Sequence, residues 1–104
     1  MYLRRTLCLA ITAAAVLLGC GLTPDVIATE EGYELNTDRD GSDYEDFDLS
    51  SPDPRLCADA CAEDDKCKAW TYVRAGYQGA APRCWLKDSV PEPEPNECCI
   101  SGLP

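Results

Sequence analysis

The sequence contains no histidine, and acidic residues far outnumber basic ones. Histidine is the commonest general base in enzymes, so its absence argues against hydrolytic and acyl-transfer chemistry. Lysine and arginine number 9 against 19 aspartates and glutamates, which gives a formal net charge of −10. A surface of this charge repels nucleic acid and anionic lipid headgroups. We therefore predict that the protein is not an enzyme, needs no cofactor and does not bind nucleic acid.

A long apolar run is also lacking. The longest run occupies residues 7–18 and reads LCLAITAAAVLL. A helix needs about 20 apolar residues to cross a bilayer, so this run is too short to span one. It follows Arg4 and Arg5, and an apolar run of this length behind a basic segment is typical of a secretory signal peptide. A buried core helix is the alternative, but the run has no amphipathic stripe and no helix cap.

Residues 17–20, LLGC, resemble the lipobox of bacterial lipoproteins. The resemblance implies cleavage before Cys20 and lipidation of its thiol, so that palmitate would label the protein. Ordinary cleavage nearby, with Cys20 left as a spare thiol, is the alternative. We predict a lipoprotein signal peptide over 1–19, a lipidated flexible tether over 20–31 and a domain over 32–104. Gly21 is not the aspartate that marks inner-membrane retention in many Gram-negative lipoproteins, so in a Gram-negative host an outer-membrane protein facing the periplasm or cell surface is favoured.

Six cysteines follow Cys20, and an even number in a short exported chain predicts a disulfide framework. They are Cys57, Cys61, Cys67, Cys84, Cys98 and Cys99. Structural zinc sites usually contain CxxC pairs or histidines, and neither occurs here, so no metal is expected. Thiol redox catalysis would have to depend on the adjacent pair alone, and a structural role is favoured. The acidic segment 36–46 is not an EF-hand loop, because Phe47 stands where the twelfth-position glutamate is needed.

The pattern of propensities predicts an α+β fold in which one helix packs on a twisted antiparallel sheet. Asp53 is a good N-cap and Pro54 suits the first helical position, so the helix is predicted over 54–64. The segments CKAWTYV and RCWLK are the clearest strands. Loops are predicted over 36–46 and 75–82, and an extended surface segment over 91–95. The predicted strands are 33–37, 47–49, 67–73, 83–87 and 98–101.

The cysteines and tryptophans stand in an ordered set of motifs: CAEDDKCKAWTYV at 61–73, CWLK at 84–87 and CC at 98–99, with Cys57 four residues before Cys61. This set resembles the PAN/Apple domain family, in particular a bacterial subgroup with CxAWTYV, CWLK and CC. The resemblance implies bridges Cys57–Cys84 and Cys61–Cys67. The terminus-to-terminus bridge of Apple domains has no counterpart here. Cys98 and Cys99 could therefore form a vicinal disulfide, pair with another chain or reshuffle the scheme.

The resemblance also implies a non-catalytic module that binds proteins or carbohydrates, here anchored to the cell envelope by its lipid. The alternative is a structural or assembly lipoprotein, a subunit of an envelope complex with no soluble ligand. Strand alternation, counted from Cys67, predicts that Ala69 and Thr71 face the helix. The far face would then carry an aromatic surface that is either open to a ligand or covered by loops as a second small core. The predicted binding residues are Trp70, Tyr72, Trp85, Arg74 and Tyr77.

Overall fold

The computed structural model describes residues 32–104. The predicted signal peptide, Cys20 and the tether lie outside the described residues. Within the described part, no helix is long and apolar enough to cross a membrane.

The described residues form one helix and one five-stranded antiparallel sheet, which confirms the predicted α+β fold. The spatial order of the strands is β1-β5-β3-β4-β2. The helix packs against β3 and β4 near the middle of the sheet. The elements are β1 Glu34–Asp38, β2 Asp43–Asp48, α1 Pro54–Ala62, β3 Ala69–Val73, β4 Arg83–Lys87 and β5 Glu94–Gly102.

Helix α1 begins where the sequence predicts and ends two residues earlier. The Asp53 carboxylate accepts a hydrogen bond from the backbone N–H of Arg55 at 3.0 Å, and Pro54 occupies the first turn. At the other end, Asp64 leaves the helix because its own carboxylate accepts from the backbone N–H of Lys66 at 2.9 Å, which closes a turn. An aspartate that bonds to nearby backbone in this way favours turns over helix interiors.

The hydrophobic core lies between α1 and one face of the sheet. Trp70 is 1% exposed, and its ring meets Tyr33 edge to face with centroids 5.2 Å apart. Gly102 stands opposite Trp70 on β5 and leaves room for the indole: a Cβ at this position would lie 2.5 Å from Cζ2. The buried core residues are Leu49, Cys57, Cys61, Cys67, Trp70, Tyr72, Cys84, Leu86 and Ile100.

The predicted face of β3 is wrong. Trp70 pairs with Leu86 and Tyr72 pairs with Cys84, and directly opposed residues share a face of the sheet. Cys84 is bonded to Cys57 of α1, so Trp70 and Tyr72 face the helix and not the far side. The prediction counted alternation from Cys67, but β3 begins only at Ala69. Cys67 lies in the preceding turn, so its direction does not fix the alternation of the strand.

Two strands extend into segments that were predicted to be irregular. β2 starts at Asp43, inside the predicted loop, because carboxylates with poor strand propensity form ion pairs across to β4: Asp43 with Lys87 and Asp46 with Arg83. β5 starts at Glu94 and includes Pro95. Its first residues pair with β1 alone, and a proline is tolerated where one side of a strand has no partner.

The sheet curls at one end, since β1 and β2 form its two opposite edges and only residues 39–42 connect them. A flat five-stranded sheet has edges about 19 Å apart. Five Cα steps, from Asp38 to Asp43, reach at most about 17–18 Å when fully extended. This connection is shorter still, because Gly41 and Ser42 have φ of 103° and 61°. The edges must therefore approach each other at this end.

Candidate binding pocket

A pocket of about 400 Å³ lies on the face of the sheet away from α1. Residues from both edge strands and from the middle strands line it, so this is the concave face of the curled sheet. Its size is within the usual range for small-ligand sites. The sheet contributes Asp38, Asp43, Thr71, Val73, Trp85, Lys87, Asn96, Cys98 and Cys99. The connecting loops contribute Asp40, Tyr77 and Gln78.

The aromatic part of the pocket comes from β4 and the loop that precedes it. Trp85 follows Cys84 in β4, so it points away from the helix. Its indole N–H donates to Oε1 of Gln78 at 2.9 Å, which ties the ring to the loop. The loop is closed by the backbone N–H of Gly76, which donates to the carbonyl of Gly79 at 2.7 Å. Tyr77, at the tip of this turn, is 56% exposed beside the pocket.

The opposite wall is formed by the adjacent cysteines of β5, which are bonded to each other as a vicinal disulfide. The carbonyl of Cys98 accepts from the backbone N–H of Arg74 at 2.9 Å, and its N–H donates to Asn96 at 3.1 Å. Beneath them, the hydroxyls of Thr71 and Ser101 share a hydrogen bond of 2.8 Å. β5 is thus tied to β3 through Ser101 and to the residue that follows β3 through Cys98.

Three carboxylates and one ammonium line the pocket. The Lys87 side chain is 2% exposed, and its Nζ donates to Asp43 at 2.6 Å and to the carbonyl of Gly41 at 3.2 Å. Burial of an ammonium requires such partners, because a charge left alone in the interior is costly. Lys87 and Asp43 neutralise each other, which leaves the charges of Asp38 and Asp40.

Arg83 flanks the pocket at the far end of β4. Its guanidinium bridges Asp46 at 2.5 Å and Asp48 at 2.7 Å across the β2–β4 pair. The hydrogen bonds that Arg83 donates to Asp46, and then those to Asp48, raise the pKa of its guanidinium above the ordinary value. The Arg83 charge is therefore paired with two carboxylates of β2, and these ion pairs hold this acidic edge strand in register with β4.

The structure divides the predicted binding residues into two groups. Trp85 and Tyr77 line the pocket, and Arg74 lies in an adjoining shallow cleft that shares Tyr77 and Asn96 with it. Trp70 and Tyr72 are 1% and 4% exposed in the core on the other face. The structure therefore places Trp70 and Tyr72 on the opposite face of the sheet from Trp85.

Several pocket residues were absent from the predicted site. Asp38, Gln78 and Asn96 lie far apart in the sequence and carry no shared motif. Only the curl of the sheet and the turn before β4 bring them together, and neither is visible in local patterns. Trp85 points away from the helix because it follows Cys84, whose side chain is bonded to Cys57 of α1.

The disulfides of the described chain follow the pairs implied by the family resemblance. Cys57 of α1 is bonded to Cys84 of β4, with Cα atoms 5.4 Å apart. Cys61 is bonded to Cys67, with Cα atoms 5.2 Å apart. Both Cα separations are ordinary for disulfides. Within residues 32–104, no three cysteine or carboxylate side chains are grouped in a way that could hold a metal ion.

A comparison with known families gives a match over part of the described chain. Residues 37–87 match the family model of the PAN domain. The matched segment runs from β1 to the end of β4 and contains both cysteine pairs that join α1 to its surroundings; β5 lies outside it. PAN domains bind proteins or carbohydrates and are generally non-catalytic. Searches of the curated proteins and of the solved structures returned no match.

Proposed function

We propose that the chain is a PAN-domain binding module of the bacterial cell envelope, anchored by a lipid on Cys20, and that it binds its ligand in the pocket on the concave face. The family match supports a protein or carbohydrate ligand. The observation that carries the choice of site is the exposed Tyr77 beside Trp85 in an open cavity. Aromatic rings that remain accessible in a concave site are common contacts for both ligand classes.

The binding role is tested by a glycan array together with a crosslinking pull-down. We expect Tyr77→Ala to lose the ligand, because this exposed ring borders the pocket, and to leave the melting temperature unchanged. Leu56→Ala is the matched control: Leu56 is a partly exposed apolar side chain on α1, on the other face of the sheet. Loss of binding in the Leu56 variant and not in the Tyr77 variant would contradict the proposed site.

The competing function is that of an assembly subunit within an envelope complex. It predicts a stoichiometric protein complex and no glycan hit. If that complex survives Tyr77→Ala, the pocket is not its interface and the binding-module proposal fails.

The lipid anchor is tested by metabolic labelling with palmitate. We expect the label in the wild-type protein and none in Cys20→Ala, because LLGC at 17–20 resembles a lipobox. The two or three acyl chains of a lipoprotein would give stable anchoring, whereas a single chain binds membranes only marginally. Density separation of inner and outer membranes should find the protein in the outer one. Equal labelling of both proteins would rule out this anchor.

A further inference from the structure

The pocket carries an uncompensated negative charge. Asp38 and Asp40 both line it, and neither forms an ion pair with any residue of the described chain. The cation that does line the pocket, Lys87, is already neutralised by Asp43. A cavity with low-dielectric walls and two spare carboxylates concentrates the field of those charges and attracts cations.

The negative charge is also destabilising where it stands. Asp38 of β1 lies directly opposite Glu94 of β5 in the register of the sheet. Like charges directly opposed on neighbouring strands destabilise the pair. A feature that opposes folding and lines an open pocket is typical of a site whose charge is balanced by a ligand.

The remaining lining favours a cation over an anion. The indole N–H of Trp85 donates to Gln78, and the ammonium of Lys87 donates to Asp43. The hydroxyl of Thr71 is hydrogen-bonded to that of Ser101. These donors are thus already hydrogen-bonded within the protein. The aromatic rings and the carboxylate oxygens of Asp38 and Asp40 remain available to contact a ligand. Aromatic faces attract ammonium and guanidinium groups through their quadrupole, and carboxylates add a direct charge interaction.

We infer that the pocket binds the ammonium or guanidinium group of a lysine or arginine side chain displayed by a partner protein. A protein partner is favoured because charge complementarity extends beyond the pocket. The chain as a whole carries a net charge of −10, and such a surface steers a basic protein partner toward it. The inference depends on the proposed function, since it assigns the ligand class of the same site.

The first test uses two probes of nearly the same shape, one cationic and one neutral. N-acetyl-arginine amide and its neutral analogue N-acetyl-citrulline amide are titrated into the purified full chain, and the indole N–H signal of Trp85 is followed by NMR. We expect the arginine probe to shift this signal, with an affinity about tenfold above that of citrulline. Its binding should weaken as salt is raised toward 1 M. Equal binding of the two probes would overturn the inference.

The second test removes the charge and leaves the shape. Asp38→Asn with Asp40→Asn should weaken the arginine probe about tenfold, since each of the two charge contacts at this partly exposed site is worth about threefold in affinity. The melting temperature should hold or rise, because the repulsion with Glu94 is relieved. Asp59→Asn with Asp65→Asn, a pair of exposed residues outside the pocket, changes the net charge equally and should leave binding intact.

The outcomes separate the two proposals. If both double variants weaken binding equally, the effect is one of net charge alone and the pocket assignment is wrong. If a glycan shifts the Trp85 signal and the arginine probe does not, the binding-module proposal stands and the cation inference is overturned.

Discussion

The bridge between Cys57 and Cys84 should contribute more stability than the bridge between Cys61 and Cys67. All four side chains are at most 3% exposed, so replacing either pair with alanine removes comparable buried sulfur. The bridges differ in the loops they close, which span 27 and 6 residues of sequence. The chain-entropy relation gives about 3.6 kcal/mol for the longer loop and about 2.2 kcal/mol for the shorter one at 25 °C. The expected difference is therefore about 1.3 kcal/mol.

Urea unfolding of the two double-alanine variants, followed by tryptophan fluorescence, measures this difference. Both variants should show a larger m-value than the wild type, because their unfolded chains are less constrained and expose more surface. Peptide mapping of the non-reduced protein should find Cys57 joined to Cys84. If loss of the Cys61–Cys67 bridge costs as much stability as loss of the longer loop, or if Cys57 is joined to Cys61, the reasoning fails.

Three further predictions concern the core and its pH dependence. Gly102→Ala should cost about 1–3 kcal/mol by overpacking against Trp70, and the cost should shrink in a Trp70→Phe background; an unchanged cost there would contradict the contact. The Tyr44 hydroxyl holds the pKa of Asp64 below its ordinary value, so Asp64 adds stability above about pH 4 that is lost as pH falls through the lowered pKa. Tyr44→Phe should make the free energy of unfolding, measured by urea titration, less sensitive to pH in that range. If its decrease at acid pH is the same as in the wild type, Tyr44 is not the cause of the lowered pKa of Asp64. Acrylamide should quench Trp85 and spare Trp70, and the reverse order would mean that the faces are misassigned.

The elements that could be predicted from the sequence are those whose signals are local. The start of α1 was predicted correctly because its two signals are local. Asp53 accepts a hydrogen bond from the first turn, and Pro54 restricts the backbone of that turn to helical angles. β4 was predicted with its observed bounds because RCWLK combines strand-forming residues between a loop and a turn. The resemblance to the PAN/Apple family also implied the two bridges that join α1 to β4 and to the turn before β3.

The parts that could not be predicted depend on pairing across the fold. β2 contains three aspartates, and its strand conformation follows from ion pairs with Arg83 and Lys87, which lie about forty residues away along the chain. The direction of Trp70 was missed because one turn residue, Cys67, was taken as part of the strand. The pocket itself follows from the curl of the sheet, which is set by the short connection between the edge strands.

The central claim is that the ligand binds on the concave face and not on the helix side. Photocrosslinking in cells tests it most directly, with a photoreactive amino acid placed at position 77 in one variant and at position 56 in another. Tyr77 and Leu56 are 56% and 36% exposed, so both replacements should be tolerated. We predict a discrete adduct with the partner from position 77 and none from position 56. An adduct from position 56 alone would place the interface on α1 and contradict the account.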